Sequence, residues 1–148
     1  MSYSLILPTL NENGHIINLI ESISEIFNKK KIIFEIIIVD DNSTDGTVQN
    51  IKENKHRFNF LEIITRKNIK KNLAESINEG IKKAKYENII WMDADFQHPP
   101  IYINEFIEKI QNHEVVIASR FLKESQRYFK KKEFKKDINE NQSFFFNK

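Results

Sequence analysis

The 148-residue sequence contains no cysteine, which excludes a disulfide framework and any thiolate metal site and leads to the expectation of a cytosolic address. It has only three glycines, Gly14, Gly46 and Gly80. Both the G-x-G-x-x-G dinucleotide turn and the P-loop need several glycines close together, so neither device is present. No apolar run approaches the roughly 20 residues of a membrane-spanning helix. The N-terminus runs from Met1 into the apolar Leu5–Leu7 segment without the parts of an export signal, so a soluble, cytoplasmic chain is expected.

Hydrophobic residues at 40% and charged residues at 30% describe a globular chain, long enough for one core and too short to promise a second. The net charge of +2 is unevenly spread: residues 120–148 hold nine Lys/Arg against four Asp/Glu, and the remainder is net acidic. A basic, aromatic-containing end suits nucleic acid, anionic lipid or an acidic partner, or is simply a solvated tail, and charge alone does not choose.

Short β-rich runs alternate with stretches of helical period, which predicts an α/β fold with a mostly parallel sheet and helices on both faces. Strands are expected at Ser4–Leu7, Glu35–Val39, Leu61–Thr65, Ile89–Met92 and Val115–Ala118. Each is nearly all apolar, as strands covered on both faces should be. Helices are expected near 14–28, 45–54, 71–85 and 100–111. In the third, Leu73, Ile77, Ile81 and Ala84 recur at helical spacing and read as a buried stripe. Thr44 or Asp45 suits the cap of the second, and Pro100 the first turn of the fourth.

Polar clusters follow three of the strands: Pro8, Thr9, Asn11 and Glu12; then Asp40, Asp41, Asn42 and Ser43; then Asp93, Ala94 and Asp95. In an open parallel sheet these carboxyl ends share one edge, where ligands bind. Taken singly, each cluster reads as turn and cap residues. Asp93 and Asp95 are separated by one residue at a strand end and can face one cavity, offering oxygen ligands to Mg²⁺ or Mn²⁺, with Gln97 able to add an amide oxygen. Asp40 and Asp41 are acceptors suited to a nucleobase edge or ribose hydroxyls, with the residues after the first strand forming the other wall. His15, His56 and His113 have no partners at metal-ligand spacing, and His98 reads as a turn residue supporting the acidic motif. Arg66, also after a strand, is a weaker phosphate candidate than Arg120.

Four ordered segments, Ser4–Asn13 (SLILPTLNEN), Glu35–Thr47 (EIIIVDDNSTDGT), Trp91–Pro100 (WMDADFQHPP) and Val116–Phe121 (VIASRF), resemble the successive motifs of family 2 glycosyltransferases. They are most similar to the branch that transfers mannose or glucose to dolichyl or polyprenyl phosphate. The resemblance implies a GT-A (Rossmann-like) fold over residues 1–121, a GDP- or UDP-sugar donor, Mg²⁺ or Mn²⁺, inversion at the anomeric carbon, and no nucleic acid. Carried over by position, Pro8, Thr9, Glu12, Asp40, Asp41, Asp93 and Ala94 would bind the nucleotide-sugar, and Asp93, Asp95 and Gln97 the metal. Asp95 and Arg120 would serve catalysis, Arg120 by contacting a phosphate. Residues 122–148 are expected to be a basic tail, either the remnant of an acceptor region or disordered, able to sit peripherally on a cytosolic membrane face.

The sequence departs from the family where Asn72, Leu73 and Ala74 replace the usual Gly-Leu-Gly, and the acceptor segment beyond Phe121 is not recognisable. Nor is there the Glu-Asp pair with which saccharide-acceptor members deprotonate a hydroxyl. A lipid phosphate is already anionic and needs no such base, so the expected acceptor is a polyprenyl phosphate, with a saccharide acceptor or a non-catalytic nucleotide- and metal-binding fragment as alternatives. A phosphoacceptor receiver fits poorly, since no lysine closes the fifth strand.

Overall fold

The computed structural model describes residues 1–67 and 70–119 and the backbone of residues 144–147. Its elements run β1 (Ser2–Thr9), α1 (Ile16–Lys29), β2 (Ile33–Asp40), α2 (Thr47–Asn54), β3 (Leu61–Thr65), α3 (Leu73–Lys83), β4 (Asn88–Trp91), α4 (Ile103–Lys109), β5 (Val115–Ala118) and β6 (Phe144–Asn147). Short 3₁₀ turns follow α2 and precede α4, the second opening at Pro100 as proline's fixed φ favours.

One six-stranded sheet is formed in the order β3-β2-β1-β4-β6-β5. β1 pairs in parallel with both β2 and β4, and β2 in parallel with β3. β6 is antiparallel to both β4 and β5. All five expected strands are therefore present, β3 and β5 with the expected bounds. β6 was not expected; it lies inside the segment read as a tail, where three consecutive phenylalanines supply strong β propensity.

Helices cover both faces. On one, Ile16, Leu19, Ile20, Ile23 and Phe27 of α1, Ile51 of α2 and Ile103, Phe106 and Ile107 of α4 pack on Tyr3, Leu5, Leu7, Ile36, Ile38 and Ile90. The other face has a smaller buried cluster, Ile6, Ile37 and Val39, and α3 lies across β1 and β2 there. Alternation along each strand sends these two residue sets to opposite sides.

The buried stripe expected on α3 is corrected by the structure. Leu73 and Ile81 are 53% and 46% exposed, and the buried positions are Ser76 and Gly80. The reason is distance. A Cβ at Gly80 would stand 2.5 Å from Ile6 Cγ2, so the helix rests on the strand through its smallest residues. Leu73 and Ile81 therefore face outward, while Ile77 stays half-buried and Ala84 packs against the smaller cluster.

Buried Glu35 fastens the far end of α3. Its Oε1 accepts from Ser4 Oγ at 2.6 Å and from the Lys85 backbone N–H at 2.6 Å, and Lys85 Nζ lies 3.2 Å from Oε2. Ser4 Oγ in turn accepts from the Tyr86 N–H at 3.1 Å. Glu35, by hydrogen bond and charge, raises the Lys85 pKa above its ordinary 10.5.

Two stability outcomes are expected. Gly80→Ala should lower stability by about 1–2 kcal/mol, because overpacking against Ile6 outweighs the gain in helix propensity. In denaturant melts the loss should shrink in an Ile6→Ala background. A raised lysine pKa stabilises the fold below its unfolded value and ceases to do so as pH climbs through the folded one. The stability difference between wild type and Lys85→Met should therefore be full well below pH 10.5 and shrink as pH rises beyond it.

Candidate donor and metal site

The parallel pairing of β2, β1 and β4 brings their carboxyl ends to one edge. Thr9 is in register with Asp40, and Asp40 with Thr65. The Asp41 N–H continues the ladder to Thr9 O at 2.9 Å, and the Met92 N–H reaches Ile6 O at 3.2 Å. The loop after β4 thus emerges on one side of β1 and Asp41 on the other.

Side chains then zip the loop after β1 to the loop after β2. The Asn11 N–H donates to Ser43 Oγ at 2.8 Å, and the Thr44 N–H to Asn11 Oδ1 at 2.9 Å. The Glu12 N–H donates to Thr47 Oγ1 at 2.9 Å, and the Asn13 N–H to Asp45 Oδ2 at 3.1 Å. The cap position of α2 is Gly46, not Thr44 or Asp45 as expected; Asp45, one residue earlier, accepts from the Thr47 N–H at 3.0 Å. Gly46 between them has φ +93°, a conformation that strains any residue with a Cβ. Asn11 and Asn42 also have positive φ, which asparagine tolerates. Phe96, at φ +62°, is a costlier case, and its turn lets the Gln97 N–H donate to Asp95 Oδ1 at 2.9 Å.

These loops enclose a cavity of about 350 Å³ lined by Pro8, Thr9, Leu10, Glu12, Asp41, Lys71, Asn72, Leu73, Ser76, Asp93, Ala94 and Asp95. Seven residues singled out in the sequence are thereby brought together: Pro8, Thr9, Glu12, Asp41, Asp93, Ala94 and Asp95. Three are not. Asp40 is fully buried below the cavity, its Oδ2 accepting from the Ser43 N–H at 3.0 Å and its Oδ1 without a hydrogen-bond partner among the described residues. Gln97 is exposed and outside the lining. Arg120 lies outside the described residues; it follows Ser119, just past the end of β5, which runs parallel to β4 toward the same edge.

Arg66 is a correction. It is no free phosphate ligand, for its side chain is 1% exposed and is held by Asp41, Glu75 and Glu79. His98 is buried beside the acidic motif, its Nδ1 accepting from the Asp93 N–H at 3.3 Å, which suits the supporting role expected of it. Lys71, Asn72 and Ser76 were not singled out as ligand residues. Of the three, only Asn72 falls within the departure from Gly-Leu-Gly.

The cavity gathers four carboxylates. Arg66 compensates Asp41, whereas Glu12 is pushed above its usual range by burial first and then by the charges of Asp95 and Asp45, with His15, at 2.5 Å, opposing the shift. A bound divalent cation would lessen the repulsion these carboxylates exert on an anionic ligand. The donor set fits one: Asp93 and Asp95 offer hard oxygens on a single wall, and no cluster of three or more acidic or histidine ligands forms among the described residues. Mg²⁺ and Mn²⁺ suit such partial sets, since they complete their shells with water and phosphate.

A mostly parallel α/β sheet with loop carboxylates gathered at its carboxyl edge is an architecture of the Rossmann-like class. The chain belongs to the glycosyl transferase family 2, whose pattern matches residues 4–147. It is 37% identical over 125 residues to a dolichol-phosphate mannosyltransferase of Pyrococcus furiosus, covering 83% of this chain and 34% of that protein. It is 32% identical to the dolichol-phosphate mannosyltransferase of Saccharomyces cerevisiae, covering 82% and 45%. The chain thus spans less than half the length of these relatives. Among solved structures, the mannosyltransferase PcManGT of Pyrobaculum calidifontis, in complex with GDP-Man and Mn²⁺, superposes with a TM-score of 0.65 over 79% of this chain and 34% of that one. At 22% identity that likeness is one of fold, and it matches the expected GT-A architecture.

Proposed function

We propose that this chain carries the donor side of an inverting, metal-dependent transfer of a hexose, mannose or glucose, from a GDP- or UDP-sugar to a polyprenyl or dolichyl phosphate. The observation that carries the reading is the presence of Asp93 and Asp95 in the same cavity as Pro8, Thr9, Glu12 and Asp41. Relatives named as dolichol-phosphate mannosyltransferases, and a structural neighbour solved with GDP-Man and Mn²⁺, support the choice of donor and acceptor.

In this reading Asp93 and Asp95 hold Mg²⁺ or Mn²⁺, with Gln97 a further ligand by family position. When bound, the ion acts as a Lewis acid on the donor's diphosphate, the leaving group of the reaction. Thr9, Glu12 and Asp41 take the nucleoside, with Pro8 and Ala94 packing against it, while buried Asp40 braces the loop beneath through the Ser43 N–H. No residue need act as base, because a phosphate acceptor is anionic at neutral pH. Arg120, by family position, orients a phosphate through its planar fork. No helix among the described residues is long and apolar enough to cross a membrane. A basic segment drawn to anionic headgroups would instead place the site at a cytosolic membrane surface.

Because the chain spans 34% and 45% of its two relatives, binding and transfer are separate claims, and a donor-binding fragment is the second reading. Calorimetry with GDP and UDP should show binding that requires Mn²⁺ and disappears with a chelator. Asp93→Ala and Asp95→Ala should each weaken it by about 100-fold with an unchanged melting temperature. Binding indifferent to metal would refute the assignment. Labelled GDP-mannose or UDP-glucose with polyprenyl phosphate should then yield label in the lipid phase; donor binding without that product leaves the fragment reading standing.

A further inference from the structure

The buried cluster around Arg66 lies behind the cavity wall. Arg66 directly follows β3, and its backbone N–H donates to Asp40 O at 2.8 Å. Its Nη1 donates to Asp41 Oδ1 at 2.8 Å, Ser76 Oγ at 3.1 Å and Asn72 O at 3.3 Å. Nη2 donates to Glu75 Oε2 at 2.5 Å and Nε to Glu79 Oε1 at 3.0 Å. The other oxygen of Asp41 accepts from the Asn72 N–H at 2.7 Å, and the Asn72 side chain caps α3 through the Glu75 N–H at 3.2 Å. A single guanidinium therefore joins the end of β2, the wall at Asn72 and the first turns of α3.

Asp41, Asn72 and Ser76 all line the cavity, whereas Arg66 does not. We propose that Arg66 is a positioning residue for the nucleotide site: acting through Asp41 and Asn72, it sets the wall against which the nucleoside part of the donor rests, without touching the donor. The idea rests on the donor-binding reading above. Glu75 and Glu79 hold the guanidinium toward α3 and away from the donor's phosphates. An ammonium cannot reproduce this role, since it is a point charge and the cluster needs a planar fork with several directed donors.

The test is a double-mutant cycle on nucleoside-diphosphate affinity with Mn²⁺, read by calorimetry beside thermal melts. Wild type must bind first; if it does not, the donor-site reading fails and Arg66 is not the cause. Given binding, Arg66→Lys should weaken affinity about tenfold, the lower end of the range for residues that orient ligand-binding groups. In an Asp41→Asn background the same substitution should change affinity less than about twofold, because the group it acts through is already altered. An equal loss in both backgrounds marks a merely structural role and overturns the proposal, as does unchanged affinity in Arg66→Lys. Should Arg66→Lys not fold, Glu79→Ala removes one anchor from a partly exposed position. A smaller loss of affinity, again confined to the Asp41 background, is then expected, and no loss overturns the proposal.

Discussion

Parallel pairing of β1 with β2 on one side and β4 on the other is the constraint on which the site depends. It places Thr9, Asp40 and Thr65 at one level and sends the loop after β4 out beside them. No single loop makes the cavity. The loops after β1, β2 and β4 and the start of α3, far apart in sequence, do so together, and the three loops meet because their strands pair in parallel under helices on both faces. A one-residue slip of β1 against either neighbour would turn its side chains to the opposite faces, burying polar Ser4 in the larger core and breaking its bond to Glu35.

Charge divides the cavity into two parts. Around Asp41 the protein supplies its own cation, Arg66, buried and fixed by three carboxylates. On the other side, His15 stands beside Glu12 and the His98 ring beside Asp93. A paired wall is rigid and suits a neutral nucleoside. The wall carrying Asp93 and Asp95 offers hard oxygens to a divalent ion and the phosphates that come with it. The positive φ of Phe96 belongs to the same economy: local strain turns the backbone so that Gln97 donates to Asp95 and fixes that carboxylate's direction.

Much of this was legible in the sequence because strands and the polar residues at their ends differ sharply in composition. β3 and β5 are bounded by clear changes from apolar to polar residues, and the Asp93-Ala94-Asp95 spacing reports its own geometry. Other features were hidden for physical reasons. Asp40 and Asp41 look alike in sequence, yet adjacent side chains at a strand end point apart, so one is buried and one lines the cavity. The face of α3 was misread because periodicity registers bulky apolar residues, while close approach to a sheet selects small ones, Ser76 and Gly80. Arg66 looked like a ligand because nothing in sequence reveals that Glu75 and Glu79, on the next helix, turn back to hold it.

The central claim, that Asp93 and Asp95 together hold a divalent ion against a donor's phosphates, is tested most directly by crystals grown with Mn²⁺ and a nucleoside diphosphate. Anomalous scattering should place manganese in the cavity, about 2.1 Å from one oxygen of each aspartate and from the diphosphate. Nucleotide seated in the cavity with manganese absent, or bound away from either aspartate, would contradict the account.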